Sequence, residues 1–194
     1  NGEGVTYVTN RNINFTNACI KKCGFCAFSR TGIDDEAYFL PMQEIIARAK
    51  QAYNEYNASE VCIQAGLPPR MDPSLYKSIA REVKTALPNV YLHAYSPEEL
   101  QYGAQLNNVS ISTIIARLQE AGVDSFPGTS AEILVDSVRR KLARGRLSSA
   151  DWIETISAAH ARGINTTSTM MYGHVESNTD VATHLKILRD MQQS

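Results

Sequence analysis

Cys19-Ile20-Lys21-Lys22-Cys23-Gly24-Phe25-Cys26 packs three cysteines into eight residues with the spacing C-x3-C-x2-C. Thiolates are soft ligands that suit iron–sulfur clusters and zinc, and a loop this short lets three of them converge on one site. Structural zinc sites are usually closed by four protein ligands, whereas a 4Fe-4S cluster held by Cys19, Cys23 and Cys26 keeps one iron open to a non-protein ligand. The fourth cysteine, Cys62, stands apart among apolar neighbours and reads as a core thiol. A zinc loop completed by Cys62 or one of the four histidines is the alternative.

Outward from the loop, short β-prone runs alternate with helical ones. Asn12-Ile13-Asn14-Phe15 precedes the cysteines as a first strand. Pro41 opens a helix whose Met42, Ile45, Ile46, Ala49, Ala52, Tyr53 and Tyr56 share one face. Val61 to Gln64 is a second strand, stopped by Gly66 and Pro68-Pro69, and Asp72-Pro73 starts the next helix with Leu75, Ile79, Val83 and Leu87. Val90 to Ala94 is a third strand. Ser96-Pro97-Glu98-Glu99 begins a helix with carboxylates at the positive end of its dipole. Ser110 caps a helix closed by Gly122, and Val123 to Phe126 is a fourth strand. Ser148 with Asp151 starts a helix ended by Gly163; Ile164 to Met171 is a fifth strand, and a last helix carries Val181, Leu185, Leu188 and Met191.

Such alternation predicts an α/β fold with a parallel sheet and right-handed crossovers. A closed eight-unit barrel takes about 250 residues, so 194 residues hold about five or six units. A partial (β/α) TIM-like barrel with about five of six units is the expected architecture. An open doubly wound sheet fits the same pattern. Both put function in the loops at the C-terminal ends of the strands, where the cysteine loop lies. One domain over residues 1–194 is expected, truncated at both ends, since neither Asn1 nor Ser194 is marked by a start or stop signal.

Composition is that of a globular domain: 43% apolar, 20% charged, net charge −1. No basic surplus points to nucleic acid. No apolar run is long enough to span a membrane and no signal peptide opens the chain, so the default expectation is the cytoplasm, where clustered cysteines read as metal-binding or catalytic.

The cysteine loop, with an aromatic residue before its last cysteine, resembles the signature of the radical S-adenosylmethionine (SAM) superfamily. The resemblance implies a 4Fe-4S cluster on Cys19, Cys23 and Cys26 whose open iron chelates SAM. Its one-electron reduction then yields a 5′-deoxyadenosyl radical that takes hydrogen from substrate. Asn10 to Asn17 before the loop and Ala27-Phe28-Ser29-Arg30 after it are similar to the members that make deazaflavins and menaquinone by the futalosine route. Cys62 to Pro69, Pro127 to Leu134 and Thr169 to Glu176 are similar to the tyrosine–uracil coupling enzymes of deazaflavin (FO, coenzyme F420) synthesis. The menaquinone relatives carry a glycine run where this chain has Gly128-Thr129-Ser130.

That resemblance implies a transferase joining the 4-hydroxybenzyl group of L-tyrosine to 5-amino-6-(D-ribitylamino)uracil. It would need a one-electron reductant and a ring-closing radical SAM partner, as a subunit or a fused module. A futalosine-pathway enzyme and a non-catalytic metal-stabilised fragment are the alternatives. The resemblance also places Gln64-Ala65-Gly66 against the SAM amino group, Glu132 on the ribose hydroxyls, Met171 and Gly173 near the adenine, and Phe25 over the cluster or adenine. As plain residues these read as a strand-ending turn, a helix-start carboxylate, a strand and turn, and core packing. His93, Tyr95 and His174 are candidate substrate contacts at strand ends, His174 being equally a structural histidine, whereas His160 and His184 read as helix surface or packing residues.

Overall fold

The computed structural model describes residues 4–31 and 34–193, so the expected domain limits at 1 and 194 lie outside the described residues. Five strands among them form one parallel sheet: β1 (Asn10–Ile13), β2 (Glu60–Ile63), β3 (Tyr91–Ala94), β4 (Ser125–Phe126) and β5 (Asn165–Thr166). Their spatial order is β1-β2-β3-β4-β5. A doubly wound sheet reverses direction at a switch point; this one never does, which makes it a run of barrel units.

The connections are α1 (Met42–Tyr56), α2 (Leu75–Ala86), α3 (Pro97–Asn107), α4 (Ile111–Glu120), α5 (Asp136–Leu142) and α6 (Ser149–His160), with α7 (Asn178–Gln193) after β5. Two capping boxes set helix starts: Ser96 with Glu99 on α3, and Ser148 with Asp151 on α6. Ser110 accepts from the Thr113 N–H to cap α4. The second helix starts later than Asp72-Pro73 suggested. Asp72 instead accepts from the N–H and hydroxyl of Ser74, organising the turn before α2.

Strand residues alternate sides, and the alternation divides the sheet's two faces by polarity. Val61, Ile63, Leu92, Ala94 and Phe126 pack with Ile45 and Ala49 of α1, Ile79 and Val83 of α2, and Leu118 of α4 in one apolar core. The opposite face carries Asn12, Cys62, His93, Ser125 and Asn165. These residues are direct neighbours in register across all five strands: Asn12 beside Cys62, Cys62 beside His93, His93 beside Ser125, Ser125 beside Asn165. Cys62 is buried, as expected of a core thiol, but it sits on the polar side of β2 and outside the main apolar cluster.

The fifth strand is shorter than the run Ile164 to Met171. Thr167 N–H still donates to Phe126 O at 3.2 Å, but pairing stops there, and Thr169-Met170-Met171 leaves the ladder. A second smaller cluster, Ala131, Leu134, Trp152 and Ile156, lies under the loop after β4, with Leu188 and Met191 of α7 packed against it.

Candidate active site at the cysteine loop

Residues 14–31 leave the end of β1 and close over the ends of its neighbours. Gly66 N–H donates to Thr16 O at 2.9 Å, Ile20 N–H to Leu67 O at 2.8 Å, and Gly24 N–H to Leu142 O at 2.8 Å. The approach at Gly66 is so close that a Cβ there would lie 2.3 Å from the Ala18 carbonyl oxygen. Glycine is thus required by proximity at this strand end. Within the loop, Cys19 N–H donates to Arg30 O and Arg30 N–H to Asn17 O, tying the stretch after the cysteines to the stretch before them.

The three half-buried thiols line one cavity of ≈ 180 Å³, together with Gln64, Ala65 and Gly66 from the end of β2, Glu98 and Glu99 from the start of α3, and Arg146 from the loop after α5. Burial pushes the Cys23 thiol above its ordinary pKa. Arg146 pulls it down, and Cys26 and Cys19 add to the rise, so the three sulfurs lie within each other's field. Among the described residues no three His, Cys, Asp or Glu side chains stand close enough to hold one metal ion. Cluster ligands bind different irons and sit farther apart than ligands of a single ion. Three thiols on one cavity wall, a cation beside them and no fourth cysteine in the lining fit a three-cysteine cluster with one open iron.

Above the thiols lies a charge network that joins three loops. Arg146 Nη1 meets Glu132 Oε1 at 2.9 Å and its Nε meets Glu98 Oε2 at 3.2 Å, while Lys21 Nζ meets Glu98 Oε1 at 3.0 Å. Burial works against the Arg146 charge, but Glu132, Cys23 and Glu98 outweigh it and hold the guanidinium above its ordinary range. Its central carbon also stands 6.0 Å from the centre of the Phe25 ring, within cation–π reach. Lys21 is thereby a paired residue that also donates to Gly145 O.

Glu99, fully inside the protein, braces the end of β2 from α3. Its Oε1 accepts from Ala65 N–H at 2.9 Å, and its Oε2 accepts from the N–H and hydroxyl of Ser96 at 2.8 and 2.6 Å. Burial raises its pKa to about 7 against the pull of those hydrogen bonds and of Arg146.

The loop bearing Glu132 is clamped from four sides. Arg139 donates through Nη1 to the carbonyls of Ser130 and Ala131, and through Nε and Nη2 to Leu147 O. Trp152 Nε1 donates to Thr129 O, Met171 N–H to Glu132 O, and Leu134 N–H to His184 Nδ1. Ser130 and Glu132 both hold left-handed backbone angles, φ 68° and 42°, which such a clamp makes tenable.

The structure gathers Phe25, Gln64, Ala65 and Gly66 with the three cysteines, and Arg146 links Glu132 to them. Met171 reaches the group only through its backbone bond to Glu132, and Gly173 and His174 stay outside the cavity. His174 is folded into its own turn: Nε2 faces Met171 O at 2.9 Å and Nδ1 faces Glu176 at 2.8 Å. Tyr95 departs from the expectation of a substrate contact. Its side chain is buried in the apolar core, 4.5 Å from the Tyr76 ring, and its hydroxyl donates to Tyr76 O at 2.7 Å. The peptide bond before it is cis. His93 faces the polar side, with Nδ1 2.6 Å from Ser125 Oγ, and burial lowers its pKa against the opposing pull of Glu60. Sequence reasoning missed Arg146, Arg139 and the ion-pair role of Glu98. The first two are hidden in the run Arg139-Arg140-Lys141-Leu142-Ala143-Arg144-Gly145-Arg146, which looks like a solvated cationic stretch.

A sequential parallel α/β sheet whose first loop brings three cysteines to its C-terminal edge is the frame of a protein that could hold an iron–sulfur cluster there. Residues 13–188 match the model of the Radical SAM superfamily, and the chain belongs to that superfamily. It is 44% identical over 99% of its length to a 5-amino-6-(D-ribitylamino)uracil–L-tyrosine 4-hydroxyphenyl transferase of Thermosynechococcus vestitus, of which it spans 50%. It is 46% identical over 98% of its length to an FO synthase of Nocardia farcinica, of which it spans 22%. The chain thus spans about half the length of the curated transferases it matches. The crystal structure of methylornithine synthase superposes with a TM-score of 0.74 at 18% identity, covering 94% of this chain and 50% of that one, a likeness of fold.

Proposed function

We propose that this chain is the core of a radical SAM transferase that joins the 4-hydroxybenzyl group of L-tyrosine to 5-amino-6-(D-ribitylamino)uracil in deazaflavin synthesis. The observation that carries the reading is the 44% identity to named transferases over nearly the whole chain, with the three-cysteine cavity intact.

When bound, a 4Fe-4S cluster and SAM supply one-electron reduction and a radical that abstracts hydrogen. The chain's own residues do the rest. Cys19, Cys23 and Cys26 hold the cluster as thiolates, with Arg146 beside Cys23 offsetting their negative charge. Arg146 is also the cation that would receive the SAM carboxylate, and Glu132, set beside it, offers acceptors to ribose hydroxyls. Glu99 fixes the Ala65 backbone where the amino end of SAM would lie. Phe25 lines the same cavity as the thiols, and the segment around Gly66 closes tightly against Ala18 beside Cys19. The product would need a ring-closing partner, either a separate subunit or a second module of the kind that FO synthases have room for. Among the described residues no helix is long and apolar enough to cross a membrane.

The test is anaerobic reconstitution of the full-length protein with SAM, reductant, tyrosine and the diaminouracil, with the products read by mass spectrometry. Tyrosine-dependent 5′-deoxyadenosine and a hydroxybenzyl–uracil adduct are expected. Cleavage of SAM that ignores tyrosine would sink the proposal.

A further inference from the structure

The polar row across the sheet, Asn12, Cys62, His93, Ser125 and Asn165, is not explained by the cluster or by SAM. It lies on the face away from the helices, level by level in register. Cys62, His93 and Ser125 are at most 8% exposed. Burying hydrogen-bonding groups there costs stability that an apolar lining would not, so the polarity of the row asks for a use. One level toward the C-terminal ends of the strands, Gln64 joins the row to the cysteine cavity. Its Nε2 donates to Cys62 Sγ at 3.2 Å, its Oε1 accepts from Thr129 at 2.9 Å, and its side chain lines the cavity. Two residues along a strand is about 7 Å, so a molecule on the row would be adjacent to whatever reacts above the thiols.

We infer that this row is the recognition strip for the neutral substrate, the ribitylaminouracil, and not for tyrosine. The assignment rests on the proposed activity and divides its two substrates by charge. Amides, a hydroxyl and an imidazole each offer both donors and acceptors. That suits a pyrimidinedione, with its alternating N–H and C=O groups, and a polyhydroxylated chain. The row itself contains no Lys, Arg, Asp or Glu, and burial lowers the His93 pKa, which favours the neutral imidazole. Glu60, a carboxylate on this face, lies a level lower and is engaged by Asn10 Nδ2 at 2.9 Å. A zwitterionic amino acid needs counter-charges. Those sit at the other end, where Lys21, Glu98 and Arg146 surround the mouth of the cavity. The row takes the molecule without formal charge; the mouth takes the charged ones.

The test uses the full-length protein, anaerobically, with the diaminouracil and L-tyrosine as separate probes in equilibrium binding and in KM measurements. Ser125→Ala and Asn165→Ala should each weaken diaminouracil binding about ten-fold, the effect of one lost hydrogen bond. Tyrosine KM and iron content should stay within about two-fold. His93→Gln should keep more affinity than His93→Leu. Asn165 is exposed on the edge strand, so its variant reports even where substitution of a buried row member prevents folding. Unchanged diaminouracil binding in these variants, or an equal loss for tyrosine, overturns the assignment and leaves the proposed activity standing. A wild-type protein that neither binds nor couples the diaminouracil overturns both.

Discussion

Glu99 accepts three hydrogen bonds inside the protein, and each favours its charged form, yet burial wins and its pKa rises to about 7. A carboxyl raised in the fold binds its proton more tightly there than in the unfolded chain. Its contribution to stability is therefore whole below the ordinary carboxyl value of 4.5 and is lost as pH climbs toward 7. Glu99→Gln should remove that slope. In urea titrations the advantage of wild type over the variant should shrink between pH 5 and 7.5 by roughly 3 kcal/mol at most; a constant difference would refute the assignment. Arg146 stabilises by pairing rather than by protonation. Arg146→Met strips one partner from Glu98 and the ion-pair partner from Glu132. We expect a loss of about 3 kcal/mol in denaturant unfolding, with less loss in the double variant that also carries Glu132→Gln, since Glu98 keeps Lys21. These two side chains differ in how visible they were. Ser96 and Glu99 have the spacing of a capping box, so the local role of Glu99 could be read. Its bond to Ala65 spans 34 positions of chain and could not. Arg146 has no local signature; only the fold brings Glu98 and Glu132 to it.

Among the elements, those with terminal chemistry were legible and those without it were not. Ser110, Ser148 with Asp151, Gly122 and Gly163 mark ends that the structure keeps, the glycines with φ of 101° and 70°. Helix α5 escaped notice because Asp136–Leu142 offers few apolar positions for a period to show. What holds it is the Arg139 guanidinium spread over three carbonyls, a contact no pattern encodes. The overlong fifth strand has the converse cause. Thr166 to Met171 is rich in β-branched residues, but a strand needs a partner, and β4 supplies only two paired residues. At this scale Gly66→Ala is the informative substitution. A Cβ would meet the Ala18 carbonyl at 2.3 Å, and the backbone next to Cys19 must shift. We expect a stability loss of about 2–3 kcal/mol and reduced iron incorporation after reconstitution, measured by unfolding and iron analysis together. Normal iron loading with normal stability would show that the strand end does not brace the cysteine loop.

For the whole molecule, alternation gave the α/β class, and the sequential strand order decided between the two architectures that alternation allowed. The cysteine trio announced itself by spacing alone, and the fold adds that Cys62 is not among the thiols lining its cavity. Alanine at Cys19, Cys23 or Cys26 should each abolish bound iron and acid-labile sulfide, while Cys62→Ala should retain both. Zinc without sulfide in the wild type would instead favour a closed structural site. The alternation of the strands has a wider result. Positions that build the core, such as Val61, Ile63, Leu92 and Phe126, interleave with Asn12, Cys62, His93, Ser125 and Asn165, and the two sets do not overlap. The molecule thus writes its core and its proposed recognition strip in separate letters of the same strands. A library that randomises only the second set would explore new ligands on an unchanged scaffold, whereas inserting or deleting a single residue in any strand would exchange the two alphabets and destroy both messages at once.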